Sequence, residues 1–123
     1  MSPYKNPTGW IHVWHGIRHG MAGLRAAWQH EDAFRQEIFV VCCALPIVYF
    51  CPVSLVGKVL MVASLLLVLI VELLNSAVES AVDHTSLARH HLAKRAKDIA
   101  SAAVLLSIVN AMVVWGILLW YGT

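Results

Sequence analysis

Residues 56–83 read V-G-K-V-L-M-V-A-S-L-L-L-V-L-I-V-E-L-L-N-S-A-V-E-S-A-V-D. A run apolar enough for a bilayer interior passes, with no turn signal, into Glu72, Asn75, Glu79 and Asp83. At about 100° per residue these four fall near 0°, 300°, 340° and 20°, so they share one narrow face of one helix. A carboxylate inside a spanning segment costs up to about 2.5–3.5 kcal/mol on insertion scales, and least near the interface. Three acids and an amide in one stripe at the end of a membrane helix therefore point to a cation-dependent site at the membrane surface. The alternative is polar glue between helices. Three acids serve poorly as glue, because they repel one another unless cations intervene.

The rest of the chain agrees with a membrane setting. At 123 residues there is room for one domain, 1–123, and 59% apolar against 13% charged residues is too greasy for a soluble domain of this size. Apolar runs lie at about Ile38–Val53 (containing Pro46), Leu55–Leu74 and Ile99–Trp120. The first is short, so it must begin within the amphipathic region before it or tilt. The N-terminal stretch lacks the basic, apolar, small-residue order of a cleavable signal, so all three spans are expected to be kept. The pattern predicts helices containing the spans over about 33–53, 55–83 and 95–121, with a polar linker over 84–98.

Basic residues set the orientation. Lys5, Arg18, Arg25 and Arg35 precede the first span, and Arg89, Lys94, Arg95 and Lys97 lie between the second and third. The connection between the first two spans offers only Lys58. The N-terminus and the second loop should be cytoplasmic and the C-terminus external, periplasmic in an inner membrane. The acidic stripe then faces the compartment that holds ATP. The net charge of +2 suggests no nucleic-acid partner.

Residues 1–9 are polar with two prolines and read as a disordered tail. Trp10, Trp14, Ile17, Met21, Leu24 and Trp28 then recur at three- and four-residue intervals, marking an amphipathic helix over 10–30. With His12, Arg18, His19 and Arg25 on its other side, it reads as a surface helix in the headgroup plane, or else as one packed on a partner protein. His12, His15 and His19 share spacing that zinc could use, but no fourth ligand accompanies them. Gly16 and Gly20 form a weak G-x-x-x-G contact signal. Cys42, Cys43 and Cys51 have no metal-ligand spacing and read as small apolar filler.

The polar residues divide by chemistry. Glu72 and Glu79 stand about 10 Å apart along the axis, too far to chelate one ion easily but suited to two tasks in one elongated site. Glu79, nearer the cytoplasm, could hold Mg²⁺, which takes one or two carboxylates and leaves its other positions to phosphates and water. Glu72, nearer the lipid, could take a proton from an alcohol whose tail stays in the bilayer. Asn75 lies between them and could orient either partner. Lys97, beside Asp98 at the mouth of the third span, could steady a transferring phosphate, or serve only as a positive-inside anchor. Phosphoryl transfer is mostly positioning and charge neutralisation, and these groups suffice for it. No G-x-x-x-x-G-K-[ST] and no protein-kinase signature occurs, so a nucleotide site here is of another kind.

Four segments carry a resemblance: G-L-R-A-A-W (23–28), E-D-A-F-R-Q-E (31–37), V-E-L-L-N-S-A-V-E-S-A-V-D (71–83) and R-A-K-D-I-A-S-A-A-V-L (95–105). With their spacing, over about residues 10–121, they resemble the prokaryotic diacylglycerol kinase family, and its Gram-negative members more than the Gram-positive undecaprenol kinases. The resemblance implies an all-α membrane protein with three spans and an amphipathic surface helix, assembled as a homotrimer with composite sites between protomers. It implies ATP-dependent phosphorylation of 1,2-diacylglycerol to phosphatidate, with Glu72 as general base and Asn75 as an essential site asparagine. Glu31 and Glu79 would bind the Mg²⁺ that accompanies ATP. His90, Lys97 and Asp98 match nucleotide contacts. Arg35, Glu37, Lys58, Ser101 and Trp115 match the lipid side, with Lys58 in place of an arginine. The chain departs from the family at His12, His19, Gly20, Ala88 and Arg89, which match positions around the nucleotide, so ATP use with weaker or broader nucleotide choice is expected. Two other readings are an undecaprenol kinase and a small oligomeric channel or scaffold whose acids bind cations.

Overall fold

A computed structural model describes residues 9–85 and 90–122, Thr85 and His90 by their backbone alone. Four helices follow one another: α1 (Gly9–His30), α2 (Asp32–Phe50), α3 (Leu55–Thr85) and α4 (His90–Tyr121). The chain is all-helical, and α2, α3 and α4 are long and apolar enough to cross a membrane. The tail read over 1–9 lies outside the described residues apart from Gly9, as do Lys5, Ala88 and Arg89.

The break between α1 and α2 is a single residue. Glu31 leaves helical geometry at φ −118° and ψ 107°, and no side chain caps the helix there. Arg35 closes the corner instead, donating to the Trp28 carbonyl and pairing with the Asp32 carboxylate. Because α2 begins at Asp32, its 19 residues rise about 28 Å, enough to cross the hydrocarbon core. The short apolar run thus gains its length from the polar stretch containing Arg35 and Glu37.

A tight turn joins α2 to α3. Pro52 cannot continue a helix, the Val53 amide donates to the Cys51 carbonyl at 2.8 Å, and Ser54 Oγ accepts the Gly57 amide at 3.0 Å to cap α3. Lys58 Nζ closes the turn on the Tyr49 carbonyl at 2.7 Å. Near this end lies a cluster of buried apolar residues: Val48, Val53, fully buried Met61 and Leu118, flanked by Cys51, Val114 and Trp115. Trp115 Nε1 ties α4 to α3 by donating to Ser64 Oγ at 3.2 Å and to the Met61 carbonyl at 3.3 Å. α3 is the most enclosed of the three long helices, with α4 and α2 packed against it. The outward faces of α2 and α4 remain apolar and exposed, as lipid contact requires.

Candidate functional site

Helix α3 places the acid stripe where its apolar part ends. Glu72 is buried at 6% exposure, Asn75 and Glu79 are half-buried, and Asp83 is exposed. Residues at i, i+3, i+7 and i+11 stay on one face of an uninterrupted helix, which is why four polar groups align there. The charges of Glu37, Glu79 and Glu31, strongest first, all bear on the Glu72 carboxylate. Helix α2 and the α1–α2 corner thus add two acids to the two from α3. Glu72 feels three other carboxylates, with Glu79 about 10 Å further along the α3 axis.

Two buried polar atoms accompany them. Among the described residues, Asn75 Oδ1 and Ser76 Oγ have no hydrogen-bond partner. Buried polar groups are nearly always paired in native structures, so such atoms mark a place where a ligand's donors and acceptors fit. Ser76 also lines a cleft of about 430 Å³ between α1 and α3, walled by Gly20, Gly23, Ala27 and Ala77, with Glu31 at its edge.

The cations lie close by but on more than one face. Lys97 Nζ pairs with Asp83 Oδ1 at 2.6 Å, joining the start of α4 to the end of α3. Asp98 pairs with Lys94 at 2.8 Å. Those two, with His91 and Arg95, line a second open cleft of about 400 Å³ on α4. Along α4, Lys97 sits about 130° and Ser101 about 90° round from the middle of that cleft, so one chain does not direct all its basic groups at its own acids. The side chain of His90 lies outside the described residues.

Lys58 and Trp115 are at the other end of the molecule. Lys58 precedes Glu72 by 14 residues, about 21 Å along α3, and Trp115 holds Met61, about 16 Å from Glu72. Arg35 is engaged in the α1–α2 corner, beside Glu31. Ser76, Ser80 and Gly23 escaped the sequence reading. Ser76 at i+4 and Ser80 at i+8 from Glu72 were the available signal, but serine in a membrane helix ordinarily bonds its own backbone and draws no notice.

No three His, Cys, Asp or Glu side chains among the described residues converge closely enough to enclose a cation unaided. That suits Mg²⁺, which uses one or two protein carboxylates and completes its octahedron with phosphate and water oxygens. The partnerless Asn75 Oδ1 beside the acids is consistent with such a ligand. The donors are all oxygens, the type this ion prefers.

The fold and the site define a small helical membrane protein with an acidic centre at one membrane face. Comparison with known proteins makes this specific. The prokaryotic diacylglycerol kinase profile matches residues 18–119. The diacylglycerol kinase of Escherichia coli strain K12 is 45% identical over 115 residues, covering 94% of each chain. That of Pseudomonas aeruginosa is 42% identical over 118 residues, covering 96% of each. That of Haemophilus influenzae is 40% identical over 114 residues, covering 93% of this chain and 97% of its own. The chain belongs to the prokaryotic diacylglycerol kinase family, and it is an enzyme, a kinase with an alcohol acceptor.

Proposed function

We propose that the protein transfers the γ-phosphoryl group of ATP to the free hydroxyl of 1,2-diacylglycerol, giving phosphatidate and ADP at the cytoplasmic surface of the inner membrane. The observation that carries this reading is Glu72, a carboxylate buried where the apolar part of α3 ends and within the field of three other acids. Its place lets it reach the hydroxyl of a lipid whose tails stay in the bilayer. Glu72 takes the hydroxyl proton, the oxygen bonds to Pγ, and the bond from Pγ to the bridging oxygen breaks to release ADP. Asn75 orients the groups between Glu72 and Glu79.

Glu31 and Glu79 are the residues that would hold Mg²⁺, which would supply neutralisation of the phosphate charge. Lys97, released from Asp83, steadies the transferring phosphate, and His90 and Asp98 contact the nucleotide. Arg35, Glu37, Lys58, Ser101 and Trp115 line the lipid side, from the α1–α2 corner to the far end of α3. The basic cleft of α4 is lined by α4 residues alone and lies round the helix from Lys97, the lysine that meets Asp83, which supports a homotrimer whose sites are shared between protomers. Exposed Trp10, Trp14 and Trp28 on a helix without acids support α1 lying in the headgroup plane. The basic residues of α1 and α4, against Lys58 alone at the α2–α3 turn, support a cytoplasmic N-terminus and a periplasmic C-terminus.

The test is label transfer from γ-labelled ATP to lipid by purified protein in mixed micelles, with diacylglycerol and undecaprenol in parallel. Labelled phosphatidate that requires Mg²⁺ is expected. A clear polyprenol preference would move the acceptor, and no transfer to either lipid would overturn the kinase site as drawn.

A further inference from the structure

Three serines are buried on the helices that form the membrane core: Ser64 at 3% exposure, Ser107 at 4% and Ser76 at 8%. Two of them do what serine usually does in an apolar helix. Ser64 Oγ donates to the Met61 carbonyl and Ser107 Oγ to the Val104 carbonyl, both at 2.7 Å. Ser76 makes no such bond, and its Oγ is without a partner among the described residues. The difference is what each one faces. Ser64 meets Trp115, whereas Ser76 lines the 430 Å³ cleft between α1 and α3.

We propose that Ser76 is a substrate-binding residue of this enzyme, its hydroxyl donating to an oxygen of the substrate seated in the α1–α3 cleft. The inference rests on the kinase reading above and adds a residue to it. Ser76 is four residues on from Glu72 and about 40° round the helix, at the seam where the acid stripe meets the cleft. Glu72 does not itself line the cleft, and of the α3 residues that do, Ser76 is nearest to its face of the helix. The cleft walls are small, and a Cβ added at Gly20 or Gly23 would meet nothing within 4 Å, so there is room beside the α1 backbone. No lysine or arginine lines the cleft, and its only ionisable groups are His30 and Glu31. A phosphate group would find no matching charge there. A neutral, oxygen-bearing group would, and each substrate has one: the glycerol ester of the lipid or the ribose of the nucleotide.

The test compares Ser76→Ala and Ser76→Thr with the parent protein in the mixed-micelle assay, titrating lipid and MgATP separately. Loss of one hydrogen bond should raise the KM of one substrate about five- to tenfold in Ser76→Ala, with kcat within about twofold and Thr restoring the parent value. A rise confined to the lipid assigns the oxygen to the glycerol ester, and a rise confined to MgATP assigns it to the ribose. Both KM values unchanged, with or without a change in thermal stability, would make Ser76 structural and overturn the proposal. Should Ser76→Ala fail to fold, Ser76→Cys offers a second measurement, with labelling of native Cys42, Cys43 and Cys51 counted in the parent and subtracted. One substrate should slow maleimide labelling of that thiol by about threefold or more, and protection by neither would sink the idea. A silent parent protein would instead indict the kinase reading itself.

Discussion

The two ends of helix α3 solve opposite problems with similar residues. Near its start, Met61 is fully buried, Ser64 bonds its own helix, and Trp115 spends its one N–H on Ser64 Oγ and the Met61 carbonyl. Near its end, Glu72 is buried among other acids, Asn75 Oδ1 and Ser76 Oγ lack partners among the described residues, and an open cleft lies alongside. One end is satisfied internally and holds the helices together. The other is left incomplete, and its unmet hydrogen bonds and unbalanced charge can be met only by something that binds. The acidic centre is thereby kept apart from the tightly packed end along one 31-residue helix.

Substitutions at the two ends should therefore fail in different assays. The largest effect belongs to Glu72→Gln, which keeps the shape and removes the proposed base. Turnover should fall by about 10²- to 10⁴-fold while assembly size and thermal unfolding stay at the parent values. Near-normal turnover would dissolve the distinction from the acidic side. Glu79→Gln should leave the maximal rate partly intact and raise the Mg²⁺ needed for half-maximal activity by about tenfold or more, read from a metal titration after chelator treatment. An unchanged titration would take Glu79 out of the metal site.

At the packed end the signature inverts. Met61→Ala opens a cavity in the buried apolar cluster and should cost about 2–4 kcal/mol in reversible unfolding, with turnover per folded molecule unchanged. A fall in turnover of the folded fraction would show that the two ends are coupled. Ser64→Ala should have the smallest effect, about 0.6 kcal/mol, because Trp115 keeps the Met61 carbonyl as its second acceptor. Its KM values should match the parent's, in contrast to those of Ser76→Ala. That pair of alanine variants tests the comparison most closely, since each removes the same atom from the same helix.

Much of the architecture was legible in sequence because hydrocarbon imposes a simple rule. Spanning segments must be helical and apolar, so Leu55–Leu74 and Ile99–Trp120 announce themselves. The acid stripe was legible for a related reason, since helical periodicity alone aligns Glu72, Asn75, Glu79 and Asp83. Glu31 was different. Nothing local marks it out from Asp32, and the metal role proposed for it rests on resemblance, yet it occupies the single non-helical corner between α1 and α2. Ser76 was missed because a serine reads the same whether it bonds its own helix, like Ser64, or faces a cleft.

The sequence by itself determined the three spans, the helical apolar repeat of α1 and the acidic face of α3. Each follows from a period of one helix and the solvent around it. Tertiary structure alone decided that the charges of Glu31 and Glu37 bear on Glu72 together with that of Glu79, and that Lys97 meets Asp83. These depend on how separate helices are rotated and offset against one another. Helical periodicity fixes directions within an element, and only packing fixes them between elements.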